Sequence, residues 1–178
     1  MKSYDFRDTI HWGSERRLRV DNAAGEQVGL IGRGSLEGCE RKNTFAYWPE
    51  GGREPYLLGI RKRGITDLLA VSYALTGPGS AGSFRDKSGN SLLYFCVTGM
   101  LDGVEVRIEE NWDEELEIKT AGRLTALIKQ EGFSLRTALQ IDEAAEENSS
   151  LFALSLMAVF MFNVYKKESA FIEELLFN

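Results

Sequence analysis

Histidine, cysteine and proline are scarce: one His, two Cys and three Pro in 178 residues. A single imidazole, His11, leaves no material for a multi-histidine metal centre. No Ser or Cys nucleophile has a recognisable motif around it, so triad chemistry has no footing either. The two thiols, Cys39 and Cys96, lack the close pairing of zinc ligands or redox dithiols and are expected to be reduced core residues. Cations are also in deficit, 21 Lys and Arg against 27 Asp and Glu, for a net charge of −6. That balance argues against a nucleic-acid partner, which needs a basic footprint, but leaves a local basic patch open. Met1 opens onto the polar stretch MKSYDFRDTIHW, without the apolar core of a secretory signal. The expected location is cytoplasmic, with peripheral membrane contact as an option.

Glycine, by contrast, is plentiful at 18 residues, and 43% of the chain is hydrophobic and 27% charged. These are the proportions of one globular domain, 1–178, rich in tight turns. Strands are expected over about 17–142. Leu18 and Val20 alternate with Arg17 and Arg19, Asp21 to Gly25 supplies a turn, and Val28 and Leu30 resume, so 17–33 reads as a hairpin. Residues 56–63 and 69–75 are further strand candidates, joined to the next by the glycine-rich loop Thr76–Ser83 and the turn Asp86–Gly89. The run Leu92–Thr98 reads as a strand covered on both faces. Val104, Val106 and Ile108 oppose Glu105, Arg107 and Glu109, and Leu116 and Ile118 oppose Glu117 and Lys119. Leu124, Ala126 and Ile128 then oppose Thr125 and Lys129, and Leu135, Leu139 and Ile141 oppose Arg136, Gln140 and Asp142. One dry and one wet face per strand is the mark of an antiparallel barrel or sandwich.

The period changes near residue 143. A helix is expected over about 143–167, capped by Asp142 or by Ser149 and Ser150, with Glu143, Glu146 and Glu147 at its start and Lys166 and Lys167 near its end. Its segment Leu151–Tyr165 is apolar on every side, so it must be buried in protein or in lipid. Fifteen residues span about 22 Å, short of the roughly 30 Å of a bilayer core. Ser155 and Asn163 interrupt the run. The interior of a barrel suits such a helix better than a tail anchor does. A short amphipathic tail, 168–178, follows.

This sequence of features resembles the tubby C-terminal-like superfamily, with its tubby, LURP-one-related and phospholipid scramblase-like branches. The residues that carry the likeness are LRVDNAAGEQVGLIGRG, FRDKSGNSLLYFCVTG, VEVRIEENWDEELEI, RLTALIK and LRTALQIDEAAEENSSLFALSLMAVFMFNVY. Together they cover about residues 17–167. The resemblance implies a mainly β fold, a closed antiparallel barrel of about twelve strands enclosing a C-terminal hydrophobic helix. It also implies a non-enzymatic role, binding phospholipid or phosphoinositide headgroups.

Headgroup binding needs converging Lys and Arg. Arg17, Arg19, Arg61 and Arg63 are the candidates, with a solvated barrel face as the plainer account. No catalytic, cofactor or metal residue is assigned. The acidic stretch Glu109–Glu117 lacks the spacing of an EF-hand loop and reads as a charged connection between strands. Gly32-Arg-Gly34-Ser-Leu-Glu-Gly38 has no helix after it to receive a phosphate, and Gly77–Ser83 lacks the ending of a P-loop, so both read as turns. Two alternatives stay open. One is a hydrolase or transferase on a barrel scaffold, marked by two carboxylates converging in a polar pocket. The other is a protein partner or self-association through Phe171, Ile172, Leu175 and Leu176 of the tail.

Overall fold

A computed structural model describes residues 1–7, 16–62, 71–86, 94–131 and 136–177, with the backbone alone at 171–173 and 175–177. Twelve strands and one helix follow in chain order. They are β1 (Lys2–Arg7), β2 (Leu18–Asn22), β3 (Gln27–Arg33), β4 (Cys39–Pro49), β5 (Tyr56–Arg61), β6 (Ser72–Gly77), β7 (Ser80–Asp86), β8 (Cys96–Leu101), β9 (Val104–Glu110), β10 (Leu116–Thr120), β11 (Arg123–Glu131), β12 (Arg136–Ile141) and α1 (Ser150–Phe177). Each strand pairs antiparallel with its sequence neighbours, and β12 returns to β1 to close the barrel. Closure leaves no free sheet edge.

The up-and-down path gives the barrel two unlike ends. At one, which we call the turn end, the strands are joined by short connections, three of them of two residues. Asp102-Gly103 and Ala121-Gly122 both hold positive φ at each residue (50° and 82°, 47° and 78°). That is the twist a two-residue hairpin needs to match its strands. The segment 142–149 and the start of α1 also lie here. At the other, the loop end, lie the connections 34–38 and 111–115, and α1 emerges there, with Lys166 3.8 Å from Glu110.

The barrel is filled by α1. From Phe152 to Phe162 every helical residue is at most 3% exposed. Phe152 meets the edge of Tyr4 (4.7 Å between centroids) and Tyr47 (5.6 Å). Phe160 stacks on Phe45 at 4.7 Å, and Phe162 packs against Phe95 at 5.4 Å. The one polar group in this stretch, the Ser155 hydroxyl, donates to the Leu151 carbonyl at 2.8 Å, so its burial leaves nothing unmade. No helix among the described residues is long and apolar enough to cross a membrane.

Several sequence expectations need correcting. Strands begin at Lys2, well before 17: Tyr4 and Phe6 point inward, and β1 is the strand that closes the ring. The stretch Thr76–Ser83 is a hairpin about Pro78-Gly79 rather than a loop. β4, an eleven-residue strand, was not anticipated because its first half, Cys39–Asn43, does not alternate. A register shift between Cys39 and Thr44 breaks the period there. The helix starts at Ser150 and not at 143: Asp142 accepts the Ala144 N–H at 2.9 Å and Ser149 accepts that of Phe152 at 3.2 Å, which makes 142–149 turns ending in an N-cap. It also runs on to Phe177, so there is no separate tail. No Gly or Pro stands between Ser150 and Phe177 to end it.

Candidate functional site

With the interior occupied by aromatic and aliphatic side chains, a ligand site in this molecule belongs to its surface or its ends. Of the four arginines singled out above, Arg63 lies outside the described residues. The other three do not form a cluster. The Arg17 guanidinium lies over the Trp48 ring at 4.1 Å, across Gly32, where a Cβ would come within 3.0 Å of the indole. Arg19 shares the outward face but has different partners. Its Nε donates to Asp21 and its Nη2 to the Gly25 carbonyl at 2.9 Å, so it serves the β2–β3 turn. Arg61 is on β5, three strands from Arg19, or about 14 Å across the sheet at 4.8 Å per strand.

Cations gather at the loop end instead, for a reason that starts in β4. The register shift after Cys39 turns residues 40–43 out of the ladder, and a bulge re-aims the side chains it carries. The bulge is held from within. The Thr44 hydroxyl donates to the Glu40 carbonyl (2.8 Å), Asn43 Nδ2 to the Glu40 carboxylate (2.7 Å), and Arg33 Nη1 to the Lys42 carbonyl (2.5 Å). Lys42 and Asn43 thereby meet Asn163, Lys167 and Glu168 of the emerging helix, with Arg33 between them, around a cleft of about 290 Å3. Three cations face one carboxylate. Arg33 also lies 4.9 Å above the Phe45 ring.

A larger cleft of about 750 Å3 opens beside the β9–β10 connection, lined by Tyr94, Glu109, Glu110, Asn111, Trp112, Glu117 and Lys119. Its charges already answer one another. Lys119 Nζ bridges Glu109 (2.9 Å) and Glu117 (2.8 Å), Arg107 reaches Glu109 at 2.5 Å, and Lys166 reaches Glu110 at 3.8 Å. Hydrogen bonding from Lys119 outweighs burial and, with help from Asn111, holds the Glu117 carboxyl below its usual range. Bonds to Glu117 and Glu109 push the Lys119 ammonium up. A general acid needs the opposite, a carboxyl held protonated, so Glu117 is not set as one. Among the described residues no three His, Cys, Asp or Glu side chains stand close enough to share a metal ion. Cys39 and Cys96 are free thiols, both buried, and burial raises the pKa of Cys39.

The turn end is polar in another way. Tyr4 donates to Glu147 Oε1 at 2.9 Å, Tyr47 to the Glu147 carbonyl at 3.0 Å, and Tyr56 to the Asn148 carbonyl. Burial raises all three phenol pKa values, with Glu147 adding to the effect at Tyr4 and Tyr47 and Asp102 at Tyr56. They therefore remain donors throughout the neutral range. Ser150 donates to Asp102 at 2.6 Å, and Asp102 also accepts the Ala81 N–H at 2.9 Å. These bonds seat the helix and leave little to bind a ligand.

The sequence missed the loop-end cleft because its members, Arg33, Lys42 and Lys167, sit on three elements and in no run. The one visible trace was the polar, non-alternating stretch Glu40–Asn43 before an apolar half-strand. His11 lies outside the described residues, as do the side chains of Phe171, Ile172, Leu175 and Leu176, whose backbone continues the helix. No family model and no curated protein matches the chain. Among solved structures it is similar to the X-ray structure of a protein from Arabidopsis thaliana, with 12% identity, a TM-score of 0.44 and 91% of each chain covered.

Proposed function

We propose that this chain is a non-catalytic, tubby-like binding module that meets anionic membrane headgroups with the loop end of its barrel. The supporting observation is the convergence of Arg33, Lys42 and Lys167 on one cleft. Charge-assisted bonds from several donors are what phosphate recognition requires. A local patch of this kind also resolves the apparent conflict with a net charge of −6, because contact at a surface depends on the near field within a Debye length. The arginines of the outer wall are secondary in this reading, since Arg17 and Arg19 serve Trp48 and the β2–β3 turn and Arg61 lies three strands away, so the three do not converge.

Sedimentation with vesicles tests it. The full chain should pellet with phosphatidylcholine vesicles containing phosphatidylserine or a phosphoinositide, and should stay in solution with phosphatidylcholine alone. Binding should weaken as salt rises and drop at least about tenfold in Lys42→Glu, given roughly 1 kcal/mol per cation and the reversed sign of the new charge. Equal pelleting with neutral and anionic vesicles, or an unchanged Lys42→Glu, removes the proposal.

A further inference from the structure

The loop end carries charge of opposite sign on its two sides. The β4 bulge presents Arg41 and Lys42, and the neighbouring β5 ends in Arg61 and Lys62. Arg61 stands opposite Cys39 in the ladder, and the Lys62 N–H donates to the Gly38 carbonyl at 2.9 Å. All four cations are exposed, and none is in an ion pair among the described residues. The carboxylates beside them are Glu37 and Glu40, and Glu40 is already bonded to Asn43. Like charges held this close repel one another, a cost that an anionic partner relieves. The 111–115 connection has the reverse character. Trp112 is fully exposed at its apex, and Asp113 and Glu114 next to it are exposed and in no ion pair among the described residues. In the ring of twelve strands, β4 and β10 stand six places apart, on opposite sides of the barrel. The acidic turn therefore cannot reach the basic patch of its own chain. We infer that the patch formed by Arg41, Lys42, Arg61 and Lys62 is a docking site for the Trp112–Glu114 turn of a second copy of this chain. The indole covers one of the cations, and Asp113 and Glu114 pair with its neighbours. A tryptophan on a turn that is already formed loses little freedom on docking. The two surfaces differ and face apart, so the contact is head-to-tail and continues from copy to copy. The inference goes beyond the headgroup reading and does not rest on it, although the two share Lys42.

Light scattering of the full chain, without lipid, tests the inference. Small contacts of this kind are weak, so the mean mass should rise above the 20.0 kDa of one chain only between about 10 μM and about 1 mM. Raising salt from about 0.05 M to about 0.5 M should weaken the association at least about tenfold, because every charge involved is exposed. Two variants, with melting temperatures expected to match that of the parent chain, dissect it. Lys42→Gln/Lys62→Gln removes charge from the patch and keeps the turn. Trp112→Ala/Asp113→Asn/Glu114→Gln disables the turn and keeps the patch. Each alone should stay monomeric at the concentration where the parent chain associates. Mixed in equal amounts, they should form a species of two chains and nothing larger, since each supplies the surface that the other lacks. A parent chain that is monomeric throughout overturns the inference, as does association that either variant leaves intact or a mixture that stays monomeric. Because no vesicle enters these measurements, their failure leaves the headgroup reading standing, and loss of vesicle binding leaves this one standing.

Discussion

The turn end and the loop end of the barrel are made from the same strands and do opposite things with them. At the turn end, two-residue connections such as Asp102-Gly103 bring neighbouring strands together within hydrogen-bond reach of the helix start. Hydroxyls from three strands, β1, β4 and β5, close on two consecutive residues, Glu147 and Asn148. At the loop end a bulge pulls β4 out of register, and the helix leaves the barrel with its polar residues exposed or half-buried. Polar groups at the first end satisfy one another. At the second, one cleft has its charges paired, Lys119 with Glu109 and Glu117, and another gathers Arg33, Lys42 and Lys167. The first end is closed by bonds between its own strands and the helix start, whereas the second leaves side chains of β3, β4 and α1 around water-filled clefts.

The largest effect that would sharpen this contrast comes from the plug. Phe152 is fully buried between Tyr4 and Tyr47. Phe152→Ala should cost about 3–5 kcal/mol, combining lost transfer energy with a cavity that a closed barrel cannot collapse to fill. Tyr165→Ala, where the helix is already half-exposed beside Phe95, should cost about 1 kcal/mol. Urea midpoints measure both. Equal losses would mean that the helix is held as firmly where it leaves the barrel as where it enters.

A middle-sized effect belongs to the bond that fixes the helix start. Burial alone would raise Asp102, but hydrogen bonds from Ser150, Ala81 and Ser80 outweigh it and hold its carboxyl below the usual range. A depressed folded pKa contributes stability that is present above the unfolded value, near 3.9, and is lost as pH falls through the folded one. Ser150→Ala should therefore destabilise by about 1 kcal/mol at pH 7. The gap between it and the parent protein should narrow as pH drops below about 4. A gap that is constant with pH would show that the hydroxyl acts by packing or capping rather than through Asp102.

Much of this architecture is legible in the sequence, and the exceptions have physical causes. The alternation survives in 105–110 and 116–120, where β9 and β10 run in register with each other, but Val104, expected inward, is 45% exposed. It fails at Leu124 and Thr125, where a shift after Ile118 exposes the leucine and buries the threonine. Thr125 is accommodated because its hydroxyl meets that of Thr120 at 2.6 Å. β1 escapes notice because two inward residues, Tyr4 and Phe6, are too few to define a period. The all-round apolarity of Leu151–Tyr165 gave the plug directly, because a helix surrounded by sheet has no wet face. The cleft was out of reach. Arg33, Lys42 and Lys167 come together through a bulge and a helix exit, and neither leaves a local motif.

The smallest expected effect is at Trp112, and it marks the contrast from the other side. This indole is fully exposed at the apex of the β9–β10 connection. The loop beneath it is firm. Asn111 Oδ1 accepts the N–H groups of Asp113 (2.9 Å) and Glu115 (3.0 Å), and Glu114 takes a positive φ of 60°. Trp112→Ala should shift the urea midpoint by no more than about 0.5 kcal/mol, since the side chain buries nothing in the folded state. Its emission should nonetheless be quenched by a neutral quencher such as acrylamide more strongly than that of Trp48, which Arg17 partly covers. Comparing quenching before and after the substitution isolates that component. A substantial loss of stability, or unchanged quenching, would mean that Trp112 is covered in solution. The loop end would then be a packed surface like the turn end rather than an open one.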